Sequence, residues 1–180
     1  FSKFLEKTPS FGKSFICLDD LNNKDILKKI RSKNYYTYGV SKNCNFQIFK
    51  FDQNINYSKF NLKINIPGIK KIIKDIKVPL LGLHNIRNTA SVVAVCYSLG
   101  LSENLIKKGL LNFKGVQRRF NYLFSRNGSV FFDDYAHHPT EINAVLDGVK
   151  EVYKKQEIIC IFQPHRISRV KNLKKKFSSS

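Results

Sequence analysis

An α/β fold is predicted for this chain by three features. Short apolar runs ending in acids or glycine alternate with segments whose apolar residues recur at helical spacing, the pattern of strand–helix–strand units on a parallel sheet. Between them lies a stretch of period-two alternation, which predicts antiparallel strands with one solvated face. Near Lys114 the pattern resets and strand–helix units begin again, so two units are expected, residues 1–113 and 114–180.

The elements follow in order. "FSKFLEKTPSFG" reads as the end of a helix and a turn, and "KSFICLDD" as a short buried parallel strand ending in acids. "NNKDILKKIRSK" carries Ile26, Leu27 and Ile30 at helical spacing behind a polar start suited to capping. "NYYTYGV" is a second strand, closed by Gly39. Phe46, Ile48 and Phe51 nearly alternate, and Phe60, Leu62, Ile64 and Ile66 alternate cleanly, which predicts a small antiparallel patch. "IKVPLLGLHNIRNTASVVAVCYSLG" passes from strand to helix, with Gly100 as its stop, and "LSENLIKKGLLNF" is a helix capped by Ser102. "NYLFSRNGSVFFDD" predicts a hairpin turning at "RNGS". "PTEINAVLDGVKEVYKK" is a helix with Pro139 in its first turn, "EIICIFQP" a strand, and "HRISRVKNLKKKF" a last helix.

The chain has 180 residues, no Met and a net charge of +19 from 32 basic and 13 acidic residues. With no Met and with both ends falling inside helical patterns, it is read as an internal fragment. A nucleic-acid-binding module is one reading of the charge, but the lysines are spread throughout and the paired aromatic motifs of RNA-binding sheets are missing. No nucleic-acid partner is therefore expected, although a basic surface also attracts phosphate-bearing small molecules. The four cysteines show no metal-ligand spacing, and Cys17, Cys96 and Cys160 lie in apolar runs where thiols are expected buried. A reducing cytoplasm fits, and no apolar run approaches the length of a membrane span.

Four motifs bear on chemistry. Gly12-Lys13-Ser14 resembles the end of a phosphate-cradling loop, but Lys7 stands where the loop needs its first glycine, and a strand follows instead of a helix. It is read as a turn. "GLHNIRN" sits at a strand-to-helix junction, with Asn85 and Asn88 three apart on the first turns. Two amides there can read a base edge, or Asn85 can act simply as a cap. Arg118 and Arg119 at the unit boundary offer guanidinium forks for phosphate, or form a solvated basic pair. "DDYAHHPTEI" gathers Asp133, Asp134, His137 and His138 between a strand's carboxyl end and a helix N-terminus, where open α/β sheets bind ligands and anions. "FQPHRISR" repeats that arrangement with Gln163, His165, Arg166 and Arg169. If the two preceding strands are parallel neighbours, acids, histidines and arginines converge on one crevice. The arginines at its rim argue against a metal, and no metal ligands are assigned.

Together "GLHNIRNTASVVAV", "FKGVQRRFNYL", "DDYAHHPTEINAVL" and "IFQPHRISR" resemble, in order and spacing, the Mur ligases of peptidoglycan synthesis, most strongly from Leu81 to Phe177. The resemblance implies the later half of a central ATPase domain (a mixed sheet with helices, residues 1–113) and the first part of a Rossmann-like C-terminal domain (residues 114–180). It implies an ATP-dependent C–N ligase using magnesium, whose substrates are UDP-N-acetylmuramate, L-alanine and ATP, and which works through an acyl phosphate. A recycling ligase that attaches a whole peptide is the alternative within the family. By the same resemblance Asn85 and Asn88 would hold adenine with His84 beside them, and Asp134 would meet the ribose hydroxyls. Arg119, with Arg118, would meet the phosphates. His137, His165, Arg166 and Arg169 would bind the alanine carboxylate and the reacting acyl end. The phosphate loop, magnesium ligands and UDP-sugar domain are expected outside these residues. Ile167 departs from the family's usual aromatic residue and Thr89 from a common alanine, neither in a charged role.

Overall fold

A computed structural model describes residues 2–116 and 118–178. Phe1, Gln117 of the "GVQRRF" motif, Ser179 and Ser180 lie outside the described residues, and with them the outer ends of both expected units. The elements run α1 (Ser2–Glu6), β1 (Ser14–Cys17), α2 (Leu21–Lys29), β2 (Tyr35–Gly39), β3 (Phe46–Gln53), β4 (Ser58–Ile66), β5 (Ile69–Val78), α3 (Leu83–Ser98) and α4 (Glu103–Leu111). Then follow β6 (Asn121–Arg126), β7 (Ser129–Asp133), α5 (Pro139–Val152) and α6 (Ile167–Phe177).

The parallel unit and the antiparallel patch form one sheet, in the order β1-β2-β3-β4-β5. β1 with β2 and β2 with β3 are parallel, while β3 with β4 and β4 with β5 are antiparallel. Coverage follows the pairing. In β1, Phe15 packs into the main core while Ile16 turns to the other face, against Leu5 of α1 and Ile30 after α2. The parallel edge is thus clothed on both faces, as such strands require. β3 to β5 bury one face, and Phe46, Ile48, Phe60, Leu62, Ile64, Ile73 and Ile76 meet Ile86, Ala90, Val93 and Ala94 of α3 and Ile106 and Leu110 of α4. The two alanines let α3 lie close to the strands.

Two bulges explain where alternation breaks in the sequence. In β3 the register slips between Phe49 and Asp52, with Lys50 at φ 50°, so Phe51 is 42% exposed and is no core residue. In β5 Asp75 takes φ 54° and donates its N–H to Asn61 Oδ1 at 2.9 Å. The extra residue lets Ile73 and Ile76, at odd spacing, both face inward.

Helix ends obey the expected chemistry. Asp20 accepts from Asn22 N–H to start α2, and Ser102 accepts from Leu105 N–H to start α4. α3 ends where Gly100, at φ 84°, donates to Tyr97 O and Leu101 donates to Cys96 O, a paired C-terminal cap. The hairpin β6–β7 turns at Asn127-Gly128, both at positive φ, the backbone of a tight two-residue turn.

One element differs from expectation. Residues 157–164, read as the strand "EIICIFQP", have no strand structure, and β7 pairs antiparallel with β6 and with no parallel neighbour among the described residues. A strand exists through ladder hydrogen bonds to a partner. Here none pairs with it, and Ile159 and Ile161 stand 79% and 93% exposed. Cys160 is accordingly exposed instead of buried. The buried thiol is Cys44, pushed up to about 12 by its burial.

Candidate functional site

The centre of the site is the first turn of α3. Gly82 adopts φ 91°, ψ 144°, donates its N–H to Gln53 Oε1 at 2.8 Å, and accepts from the N–H groups of Asn85 and Ile86. Asn85 Nδ2 donates to Leu81 O at 2.7 Å, which orients the amide and leaves its Oδ1 and one proton for other partners. Asn88, one turn on, is exposed. No side chain caps this helix start.

The His84 ring folds back beneath Gly82 and towards Ala144 of α5. A methyl group on Gly82 would lie 2.7 Å from His84 Cε1 and Nδ1, and one on Gly148 would lie 3.0 Å from Gly82 Cα. α5 therefore packs against the start of α3 through two glycines. Gln53 Nε2 donates to Glu151 Oε2, joining β3 to α5. Burial pushes the His84 ring towards its neutral form. Asp134 and the Ala144 carbonyl favour the cation and Arg119 and Arg87 oppose it, and the balance stays below the usual histidine value. Its Nδ1 is buried with no hydrogen-bond partner.

A histidine whose folded pKa is depressed contributes stability that is fully present above its unfolded value, about 6.5, and lost as pH falls below it. We expect the His84 imidazole resonances to titrate below that value by NMR, and His84→Gln to reduce the fall in unfolding free energy from pH 7 to pH 5. A normal or raised titration midpoint would contradict this placement.

Facing α3 is the segment between β7 and α5. Asp134 Oδ2 accepts from Phe120 N–H at 2.8 Å and Oδ1 from Ala136 N–H at 2.6 Å, so the carboxylate ties the start of β6 to the loop before α5. Arg118 stacks its guanidinium on the Tyr135 ring, 4.8 Å from the centroid, and is 3.8 Å from Asp133, both groups being exposed. Arg119 is exposed as well. His137 Nδ1 lies 2.9 Å from the Tyr135 carbonyl, which can only accept, so Nδ1 carries a proton and Nε2 is left for another partner. His137 N–H donates to Glu141 Oε2 at 3.0 Å. Burial raises the Glu141 carboxyl, but the His137 and His138 N–H groups, His137 itself and Arg119 outweigh it and hold the group below its ordinary value. His138 caps α5, its Nδ1 accepting from Thr140 N–H at 3.3 Å.

Of the residues singled out in the sequence, the fold brings His84, Arg119 and Asp134 into one electrostatic neighbourhood, with Asn85 and Asn88 on the helix that carries His84. It does not join the second motif to them. His165 and Arg166 are exposed, Arg169 Nη1 is buried without a partner, and none of these three side chains has a hydrogen bond or ion pair among the described residues. The reason is the unformed strand at 157–164, since no sheet sets the two loops side by side. Gly12-Lys13-Ser14 is a turn into β1, with Gly12 N–H on Pro9 O and Lys13 over the Tyr36 ring.

Sequence reasoning passed over Asp19, Arg87, Gln53 and Gly148. Asp19 receives N–H groups from Val40 and Ser41, the Ser41 hydroxyl, and Arg87 Nε at 2.7 Å. Burial opposes its charge, but these donors prevail and keep the carboxyl below its usual value. The available signal was an acid at the carboxyl end of a parallel strand. Among the described residues no group of three or more His, Cys, Asp or Glu is arranged to hold a metal, and no helix is long and apolar enough to cross a membrane.

A family model described as "Mur ligase middle domain" matches residues 1–96, and one described as "Mur ligase, glutamate ligase domain" matches residues 118–180. The chain is 60% identical, over its whole length, to a protein of Pelagibacter ubique named UDP-N-acetylmuramate--L-alanine ligase, and covers 39% of it. It is 41% identical over 96% of its length to the protein of that name from Brachyspira hyodysenteriae, covering 37% of it. Among solved structures it is similar to UDP-N-acetylmuramate-alanine ligase MurC from Thermotoga maritima, with TM-score 0.66 and 27% identity, over 96% of this chain and 45% of that one. A murein peptide ligase from Psychrobacter arcticus gives TM-score 0.63 and 24% identity, over 92% and 34%, a likeness of fold alone. The chain thus spans about two-fifths of the length of the curated relatives it matches.

Proposed function

Because this chain belongs to the Mur ligase family, we propose that it carries the adenosine end of the ATP site and the amino-acid side of the transfer site in a ligase joining L-alanine to UDP-N-acetylmuramate. Residues 1–113 would be the later part of the ATP-binding domain and residues 114–180 the first part of the C-terminal domain. The observation that carries the reading is the seating of α5 on the start of α3 at Gly82 and His84, with Asp134 and Arg119 in the electrostatic surroundings of that histidine.

The donor set fits a nucleotide. Asn85 and Asn88 offer amide donors and acceptors to an adenine edge, and His84 on the same helix keeps a buried, unpartnered Nδ1 against Gly82. Asp134 can accept from ribose hydroxyls, and Arg119 with Arg118 can meet phosphate oxygens. ATP would supply the phosphoryl group that turns the muramate carboxylate into an acyl phosphate, and magnesium would enter with the triphosphate.

On the amino-acid side, His137 offers Nε2, with its ring held by the Tyr135 carbonyl. As a cation it would bind the alanine carboxylate, and His165, Arg166 and Arg169, proposed for the same group, stand on a second loop that no sheet of the described residues sets beside it. The work of these residues is positioning and charge stabilisation. A cytoplasmic enzyme acting on small molecules is the reading that free cysteines and ATP use support.

Asn88→Ala in the complete ligase is expected to raise the KM for ATP by about tenfold with the KM for L-alanine unchanged. An unchanged ATP KM would reject the assignment of α3 to the nucleotide. Turnover with a tripeptide in preference to L-alanine would point to the recycling activity. The 180-residue chain by itself is expected to release no phosphate from ATP with muramate substrate and alanine.

A further inference from the structure

We propose that Asp19 and Arg87 are a positioning pair that sets the rotation of α3 about its axis and so aims His84, Asn85 and Asn88 at their ligand. The proposal rests on the reading of α3 as the adenine-holding helix and adds to it the device that orients that helix.

The need for such a device is visible at the helix start. Gly82 provides no side-chain cap, and the preceding turn is tied by backbone groups, Gln53, Asn85 and the Ser58 hydroxyl, which donates to Leu80 O at 2.6 Å. A helix held by apolar packing alone can roll on its sheet, because dispersion contacts are non-directional. A charge-assisted hydrogen bond is directional. Arg87 lies between Asn85 and Asn88 and three residues beyond His84, so it shares a helix face with His84. Holding the Arg87 Nε fixes the angular position of all three.

The anchor at the other end is rigid. The Asp19 side chain is 10% exposed, and Oδ1 and Oδ2 take the N–H groups of Val40 and Ser41 and the Ser41 hydroxyl at 2.9–3.1 Å. Those donors belong to the loop after β2, so the carboxylate is locked between the ends of two parallel strands before Arg87 reaches it. The backbone is shaped around it as well. Gly39 has φ 145°, and a methyl group there would lie 2.7 Å from Asp19 Oδ1. The carboxylate thus fills the space that a side chain on β2 would take, and the Arg87 Nε bond at 2.7 Å, from a side chain one-third exposed, is left as the link to α3. None of these atoms is needed to bury the main core, whose α3 contribution is Ile86, Ala90, Val93 and Ala94.

The test compares Asp19→Asn, Arg87→Met, the double variant and Arg87→Lys in the complete ligase, reading KM for ATP, KM for L-alanine, kcat at saturating ATP, and Tm. Misaiming a binding edge by a fraction of an ångström costs affinity steeply, so each single variant is expected to raise the ATP KM roughly tenfold. The double variant should be no worse than either single one, because both break one link. Arg87→Lys should recover part of the loss. KM for L-alanine and kcat should move by less than about threefold on the same reasoning. A fall in Tm with the ATP KM unchanged, or all Michaelis constants rising together, would overturn the proposal in favour of a general structural role. If Asp19→Asn does not fold, Arg87→Met, at a partly exposed position, decides the matter. Asn88→Ala run in parallel separates the two levels. If it weakens ATP while Asp19→Asn and Arg87→Met do not, the positioning role fails alone. If none of them weakens ATP, the nucleotide reading fails with it.

Discussion

Gly82→Ala is expected to weaken ATP binding by the complete ligase at least tenfold, equivalent to about 1.4 kcal/mol or more. Two effects act at the same atom. The backbone at φ 91°, ψ 144° is a region that residues with a Cβ avoid, at an expense of about 1–3 kcal/mol. The new methyl would also lie 2.7 Å from the His84 ring and 3.6 Å from Ala144 O, while Gly148 of α5 packs against the Gly82 backbone itself. The chain can relax only by swinging His84 out or by parting α3 from α5, and either motion disturbs the edge assigned to adenine. Gly100→Ala is the control. Gly100 also has positive φ, 84°, but open space around it, so that variant should lose about 1 kcal/mol of stability with no change in the ATP KM. Equal ATP affinity for Gly82→Ala and the parent would show that the turn is not part of the nucleotide site.

Phe60→Ala is expected to destabilise the five-stranded unit by about 3–5 kcal/mol, a large part of the 5–15 kcal/mol typical of a domain. Phe60 sits at 0% exposure on the central strand of the antiparallel part, paired with Ile76 and roofed by the helices. Nothing small can fill the void without moving α3, whose alanines already lie against the strands. Phe51→Ala, on the bulge of β3 and 42% exposed, should lose less than about 1 kcal/mol. Urea unfolding of the two variants side by side measures the difference. Comparable losses would mean that the bulge does not turn Phe51 outward.

Much of the fold was legible because local rules decide it. Ser102 caps α4 and Gly100 ends α3 through chemistry confined to a few consecutive residues, and Asn127-Gly128 turns the hairpin for the same reason. The alternation of Phe60, Leu62 and Ile64 announced a strand with one buried face. The failures share a cause too. Phe51 broke the alternation because a bulge, a matter of pairing with β4, inserts a residue that no single strand reveals. The apolar "IICIF" run looked like a buried strand, but a strand exists only where a partner offers its ladder, and none of the described residues does so.

The site divides in the same way. Residue types and spacing by themselves determined that amides, a histidine, acids and arginines stand at strand ends and helix starts, because those groups are chemically matched to bases, hydroxyls and phosphates and the periodicity locates the junctions. Tertiary packing alone decided which of them meet. It brought Asp134 and Arg119 to His84, 50 and 35 residues distant in the chain. It seated α5 on α3 through Gly82 and Gly148, and linked Asp19 to Arg87 across 68 positions. Such contacts depend on how two surfaces dock. Docking is governed by shape and by directional bonds between distant residues, and a one-dimensional pattern carries neither.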